Sequence, residues 1–133
     1  MIEKLDHIGV AVKDLDQAMK LYKDVFGIEP SLVYESSHTK AKIAFFPIGT
    51  MRVELIQPLS PESVMGKFLE KRGEGIHHIA YKVKHVDASL GYAEAKGVQV
   101  IDKKSRKVRE DERIGFLNPK STNGVLIELI QED

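Results

Sequence analysis

The chain has 133 residues, 42% of them apolar and 30% charged, which fits one compact globular domain. Twenty basic residues balance twenty acidic ones, so no net field draws the protein to nucleic acid or to an anionic membrane. The absence of Cys excludes disulfides, thiolate metal sites and a cysteine nucleophile.

The first ten residues enter a strand-like pattern directly, with no apolar segment of the signal-peptide kind. No apolar run approaches the roughly 20 residues that span a bilayer, and a cytoplasmic protein is expected. Asp6-His7-Ile8-Gly9-Val10-Ala11-Val12 reads as a strand. Leu15, Ala18, Leu21, Tyr22, Val25 and Phe26 then form an apolar stripe at helical spacing, which Gly27 ends. Ala41–Phe46 reads as a further strand, and Val53-Glu54-Leu55-Ile56-Gln57 closes the first half.

Residues 60–72 carry Val64, Phe68 and Leu69 at helical spacing and are expected to form a linking helix. Gly73-Glu74-Gly75 turns the chain into a second half that repeats the first. His77-His78-Ile79-Ala80-Tyr81-Lys82-Val83 matches the opening strand. Val86, Leu90, Ala93 and Ala95 mark a second helix, which ends at Gly97. A strand follows near 114–117, and Ile127-Glu128-Leu129-Ile130-Gln131 closes the half as residues 53–57 closed the first. The organisation is one domain, 1–133, with module 1 at about 1–58, a linking helix at 60–72 and module 2 at about 75–133.

Alternate strand residues face opposite ways. His7 therefore shares a face with Gly9 and Ala11, and His78 shares one with Ala80. Glu54 is opposed by Val53 and Leu55, and Glu128 by Ile127 and Leu129. Each half thus has one apolar face for helices to cover and one face bearing a His and a Glu, with small neighbours that leave room for a ligand. A lone strand histidine is more often packed or solvated than a ligand, and a lone glutamate more often faces solvent. Two of each at equivalent places in two repeats point to a metal site of His7, Glu54, His78 and Glu128. Such a donor set suits Zn²⁺, Co²⁺, Mn²⁺, Ni²⁺ or Fe²⁺ and leaves open positions for a bidentate substrate. The basic run Lys103, Lys104, Arg106, Lys107 and Arg109 is most simply a solvated loop.

These two His/Glu modules resemble the vicinal oxygen chelate superfamily. Within it the chain is similar over nearly its full length to the methylmalonyl-CoA epimerase family. The resemblance rests on Leu5–Val12, on Lys67-Phe68-Leu69-Glu70-Lys71-Arg72-Gly73-Glu74-Gly75-Ile76-His77-His78-Ile79-Ala80, and on Pro119-Lys120-Ser121-Thr122-Asn123-Gly124-Val125-Leu126-Ile127-Glu128-Leu129. It implies an α+β fold of two repeated βαβββ modules that form a cupped mixed sheet with helices outside. It also implies the metal ligands His7, Glu54, His78 and Glu128. Relatives often carry His where this chain has Asn118, and some carry a catalytic Glu where this chain has Lys42.

The implied activity is that of a metal-dependent isomerase, interconverting the 2R and 2S epimers of methylmalonyl-CoA by proton transfer at C2. The resemblance implies a divalent cofactor (Co, Zn, Mn or Ni), a CoA-thioester substrate and a homodimer with no nucleic-acid or membrane partner. Glu128 is the first candidate for a proton-transfer group, with Glu54 and Lys42 as candidates for its opposite. Lys120, Ser121 and Thr122 are candidates for binding the CoA moiety. The alternatives are a glyoxalase I-type lyase acting on a glutathione hemithioacetal, or a ligand-binding module of the same fold.

Overall fold

The computed structural model describes residues 1–132. In chain order the elements are β1 (Ile2–Ala11), α1 (Leu15–Phe26), β2 (Leu32–Ser36), β3 (Ala41–Ile48), β4 (Met51–Pro58), α2 (Val64–Arg72), β5 (Gly75–Val83), α3 (Val86–Ala95), β6 (Arg106–Arg109), β7 (Glu112–Leu117) and β8 (Ile127–Glu132). The eight strands belong to one mixed sheet. This is the α+β class and the repeated βαβββ order read from the sequence. Two short strands, β2 and β6, complete the modules; β6 has only Val108 to announce it, whereas β2 carries Leu32, Val33 and Tyr34.

The chain divides into two compact units, residues 8–77 and residues 1–7 with 78 onward. The division falls inside β1 and β5, so neither unit coincides with one sequence repeat. In the 8–77 unit β2, β3 and β4 are consecutive antiparallel neighbours. Ala44, Phe46 and Leu55 lie on the face covered by α1, through Leu15, Ala18, Met19 and Tyr22. The opposite face, with Ala41, Ile43, Phe45 and Ile56, packs against Met65, Phe68 and Leu69 of α2. The stripe expected on α1 is too wide: Leu21, Val25 and Phe26 are exposed.

In the other unit β5 runs parallel to β8, which pairs antiparallel with β7, and β7 with β6. Helix α3 covers one face through Val86, Leu90 and Ala93, against Val83, Leu117, Ile127 and Leu129. Gly115 on β7 permits this approach, because a Cβ there would stand 2.8 Å from Leu90 Cδ1 and 3.1 Å from Val86 Cγ1. The basic run is solvated as expected at Lys103, Lys104, Arg106 and Lys107, but its second half is the strand β6 and three of its charges are paired. Arg106 pairs with Asp102 at 3.0 Å, Lys103 with Glu94 at 3.1 Å and Arg109 with Glu112 at 3.0 Å.

Both modules start their helix in the same way. The backbone N–H of Leu15 donates to Gln57 Oε1 at 2.7 Å, and that of Val86 donates to Gln131 Oε1 at 2.9 Å. The first-turn N–H groups of a helix lack intrahelical acceptors, and a glutamine two places beyond the closing strand's central Leu supplies one in each module. The recurring Glu-Leu-Ile-Gln therefore serves a helix start as well as a site.

Candidate metal centre

The register of β8 decides what stands beside His78. In the parallel pairing with β5, Glu128 lies across from Ala80, and His78 shares the Ala80 face. On the other side of β8, Phe116 stands opposite Glu128. The ring of Phe116 meets His78 edge-on with centroids 6.0 Å apart. Ala80, Ile114, Ile130, Val108 and Phe116 form a small apolar cluster on this face. The space that the small residues leave is thus partly filled, and the polar side chains sit in dry surroundings. His7, His78 and Glu128 are 2%, 4% and 6% exposed.

These three side chains come together. His7 Nε2 lies 3.1 Å from His78 Nε2 and 3.1 Å from Glu128 Oε2, while His78 Nε2 is 3.9 Å from Glu128 Oε1. The two rings meet edge-on at 5.2 Å. Glu128 Oε2 is buried and has no hydrogen-bond partner among the described residues. A buried carboxylate oxygen without a donor costs roughly 1–3 kcal/mol or more, and a cation would relieve that cost. Two donors each about 2.1 Å from one ion and at right angles to each other stand about 3.0 Å apart, close to the spacing here. The donors fit a divalent ion in chemistry and in separation.

The His7 ring is held from its other side by a residue that the sequence reading passed over. Asp6 Oδ2 lies 2.7 Å from His7 Nδ1, with both side chains buried. The available signal was an acidic residue directly before the His, at the point where the strand turns from exposed to buried. Its equivalent in the second module, His77, packs edge-on against Phe68 at 4.9 Å.

Glu54 sits on β4 across from Phe45, is 8% exposed, and shares its face with Ile56. Lys42 does not join it. Along β3, Ala41, Ile43 and Phe45 lie on Glu54's face, while Lys42 is on the α1 side with its Nζ 3.9 Å from Asp16. The expectation that Lys42 transfers a proton is corrected by this alternation: a side chain that pairs with α1 is on the wrong face of the strand.

Lys120, Ser121 and Thr122 lie in the turn before β8. The Ser121 hydroxyl accepts from the Gln99 N–H at 2.9 Å, and the Thr122 hydroxyl donates to the Val125 carbonyl at 2.7 Å. Asn118 Oδ1 accepts from the Lys120 N–H at 3.0 Å. Asn118 and the two hydroxyls therefore build the turn, and the exposed Lys120 supplies its positive charge.

A family model described as the glyoxalase/bleomycin resistance protein/dioxygenase superfamily matches residues 6–116. The chain belongs to this superfamily. Among other members it is 37% identical to the uncharacterised protein YqjC of Bacillus subtilis, over 98% of this chain and 93% of that protein. It is 32% identical to the ethylmalonyl-CoA/methylmalonyl-CoA epimerase of Cereibacter sphaeroides, over 98% of this chain and 99% of that protein. A solved structure of a Streptomyces coelicolor methylmalonyl-CoA epimerase variant, in complex with 2-nitronate-propionyl-CoA, superposes with a TM-score of 0.93. It is 34% identical and is matched over 99% of this chain and 96% of its own. The expected fold and family are those found. No helix among the described residues of this superfamily member is long and apolar enough to cross a membrane.

Proposed function

We propose that the protein is a metal-dependent epimerase that interconverts (2R)- and (2S)-methylmalonyl-CoA. The observation that carries the reading is the meeting of two buried imidazoles with a carboxylate oxygen that has no hydrogen-bond donor. Resemblance to two epimerases over nearly the whole chain supports the substrate class, a CoA thioester. His7, Glu54, His78 and Glu128, all buried, are proposed as the ligands. When bound, a divalent ion supplies Lewis-acid stabilisation for negative charge that develops on an oxygen.

The chain's own residues do the rest. The C2 proton of the substrate lies between a thioester and a carboxylate, and its removal sends an electron pair toward the thioester oxygen. A carboxylate has two oxygens, so Glu128 can serve as a ligand and still take or return that proton. Return of a proton to the opposite face of C2 gives the other epimer, with no net change in atoms or electrons. Glu54, buried and at the equivalent place in the first module, is proposed for that face. The apolar cluster of Ala80, Ile114 and Ile130 excludes water, which strengthens charge interactions inside. Lys120 is proposed to attract the phosphates of the CoA moiety.

The deciding experiment follows exchange of the C2 proton of methylmalonyl-CoA for deuterium, with and without a chelator. Exchange that the chelator abolishes and added Co²⁺ or Zn²⁺ restores is the expected result. Turnover of a glutathione hemithioacetal with no exchange on the CoA ester would overturn the reading.

A further inference from the structure

We propose that Asp6 is a positioning residue that fixes the tautomer of His7, and through it keeps the centre open to a metal. The inference rests on the metal reading of this site. A neutral imidazole carries one proton on two nitrogens. Asp6 Oδ2 stands 2.7 Å from His7 Nδ1, and a carboxylate only accepts, so the proton is held on Nδ1. His7 Nε2 is left with its lone pair turned toward His78 Nε2 and Glu128 Oε2, both at 3.1 Å.

That arrangement leaves a buried oxygen of Glu128 without a hydrogen bond. Moving the proton to Nε2 would remove the lone pair that a metal needs. Asp6 holds the proton on the side away from Glu128, and the bare Glu128 oxygen 3.1 Å from that lone pair makes the site receptive to a cation. In the second module the residue at the same place is His77, which packs against Phe68.

The test needs no turnover. Nitrogen NMR of the His7 ring in the metal-free protein reports which nitrogen carries the proton. The expected result is Nδ1–H in the wild type and in Asp6→Asn, whose amide oxygen still accepts, and Nε2–H in Asp6→Ala. Titration with Co²⁺ should then show Asp6→Ala binding about 10–100-fold more weakly, the usual effect of losing an outer partner of a ligating histidine. Asp6→Asn should recover most of that loss. Circular dichroism of the metal-free variants separates loss of fold from loss of affinity, and the wild-type spectrum stands even if Asp6→Ala does not fold. Nε2–H in the wild type, or a folded Asp6→Ala that binds Co²⁺ within about twofold of wild type, overturns the role of Asp6 only. A wild type that takes up no metal overturns it together with the epimerase reading.

Discussion

The two modules share a frame and differ in how each treats its histidine face. Each starts with a strand bearing a buried His, continues into a helix whose first N–H is held by a Gln, and closes on a strand bearing a buried Glu. In the 8–77 unit the face of Glu54 is also packed by α2, through Met65, Phe68 and Leu69. The face of Glu128 carries the small apolar cluster of Ala80, Ile114 and Ile130 with its half-buried neighbours. The residues before the histidines differ as well, Asp6 against His77. Duplication explains the shared frame, and the local differences show where two copies of one unit took on unlike tasks.

Equivalence at the histidines predicts equal consequences. His7→Ala and His78→Ala should each weaken Co²⁺ binding by more than the roughly 10–100-fold that loss of an outer partner costs. A calorimetric titration in which one variant binds like wild type would show that its histidine is not a ligand.

A difference between the two compact units should appear at two glycines, one in the linking helix and one in β7. A Cβ at Gly66 in α2 would collide with the Ser60 carbonyl oxygen and lie 2.8 Å from Pro61 backbone atoms, which cannot yield easily. At Gly115 the nearest obstacle is the side chain of Leu90. Gly66→Ala should therefore destabilise by about 1–3 kcal/mol, in spite of alanine's higher helix propensity. Gly115→Ala should cost less, because Leu90 can turn away. Urea unfolding of both variants checks the order, and a reversal would mean that the 60–66 turn is more yielding than its geometry indicates.

The glutamines test the shared frame more finely. Gln57→Ala and Gln131→Ala each remove an acceptor from a helix start, a loss typically worth about 1 kcal/mol. The two costs should agree to within about 0.5 kcal/mol by thermal unfolding. A large gap would locate further work for one of the side chains.

The smallest effect concerns acid stability. Backbone and side-chain hydrogen bonds from Ser105, at 2.6 and 3.0 Å, hold the Asp87 carboxyl below its ordinary value of 3.8. A lowered pKa means that this contribution is present above 3.8 and is lost as pH falls through the folded value. Asp87→Asn should flatten the acid limb of a stability–pH curve slightly. Asp16, its counterpart in the first module, faces Lys42 and makes the matched control. Equal flattening in both variants would deny the loop contact any special part.

Much of this was legible in the chain itself, because duplication presents each signal twice. His7 with His78 and Glu54 with Glu128 could be aligned from spacing, and strand alternation assigned their faces. The short strand β6 is hard to see, since Arg106, Lys107 and Arg109 look like loop residues, and β2 is hard to see because Leu32-Val33-Tyr34 is too short a run to show a period. Between Lys42 and Glu54 the sequence leaves the choice open, because one residue of strand phase moves a side chain to the other face. The outer part of the α1 stripe was apolar without being buried, which periodicity alone cannot reveal. Asp6 was missed for a different reason. Its partner is the very next residue, and a bond between neighbours that alternation should separate follows only from coordinates.

The glutamine at each helix start also constrains how the chain is made. Leu15 and Gln57 are 42 residues apart, and Val86 and Gln131 are 45 apart. At a synthesis rate of about 5–20 residues per second, the first N–H of α1 waits roughly two to eight seconds for its acceptor to be polymerised. During that interval the helix lacks its seal, and the apolar residues that it later lays on β3 and β4 have nothing to cover. Each module thus has a last step that only its closing strand can perform. A ribosome paused before Gln57 or Gln131 would hold a nascent chain with an unsealed helix, open to chaperones and proteases.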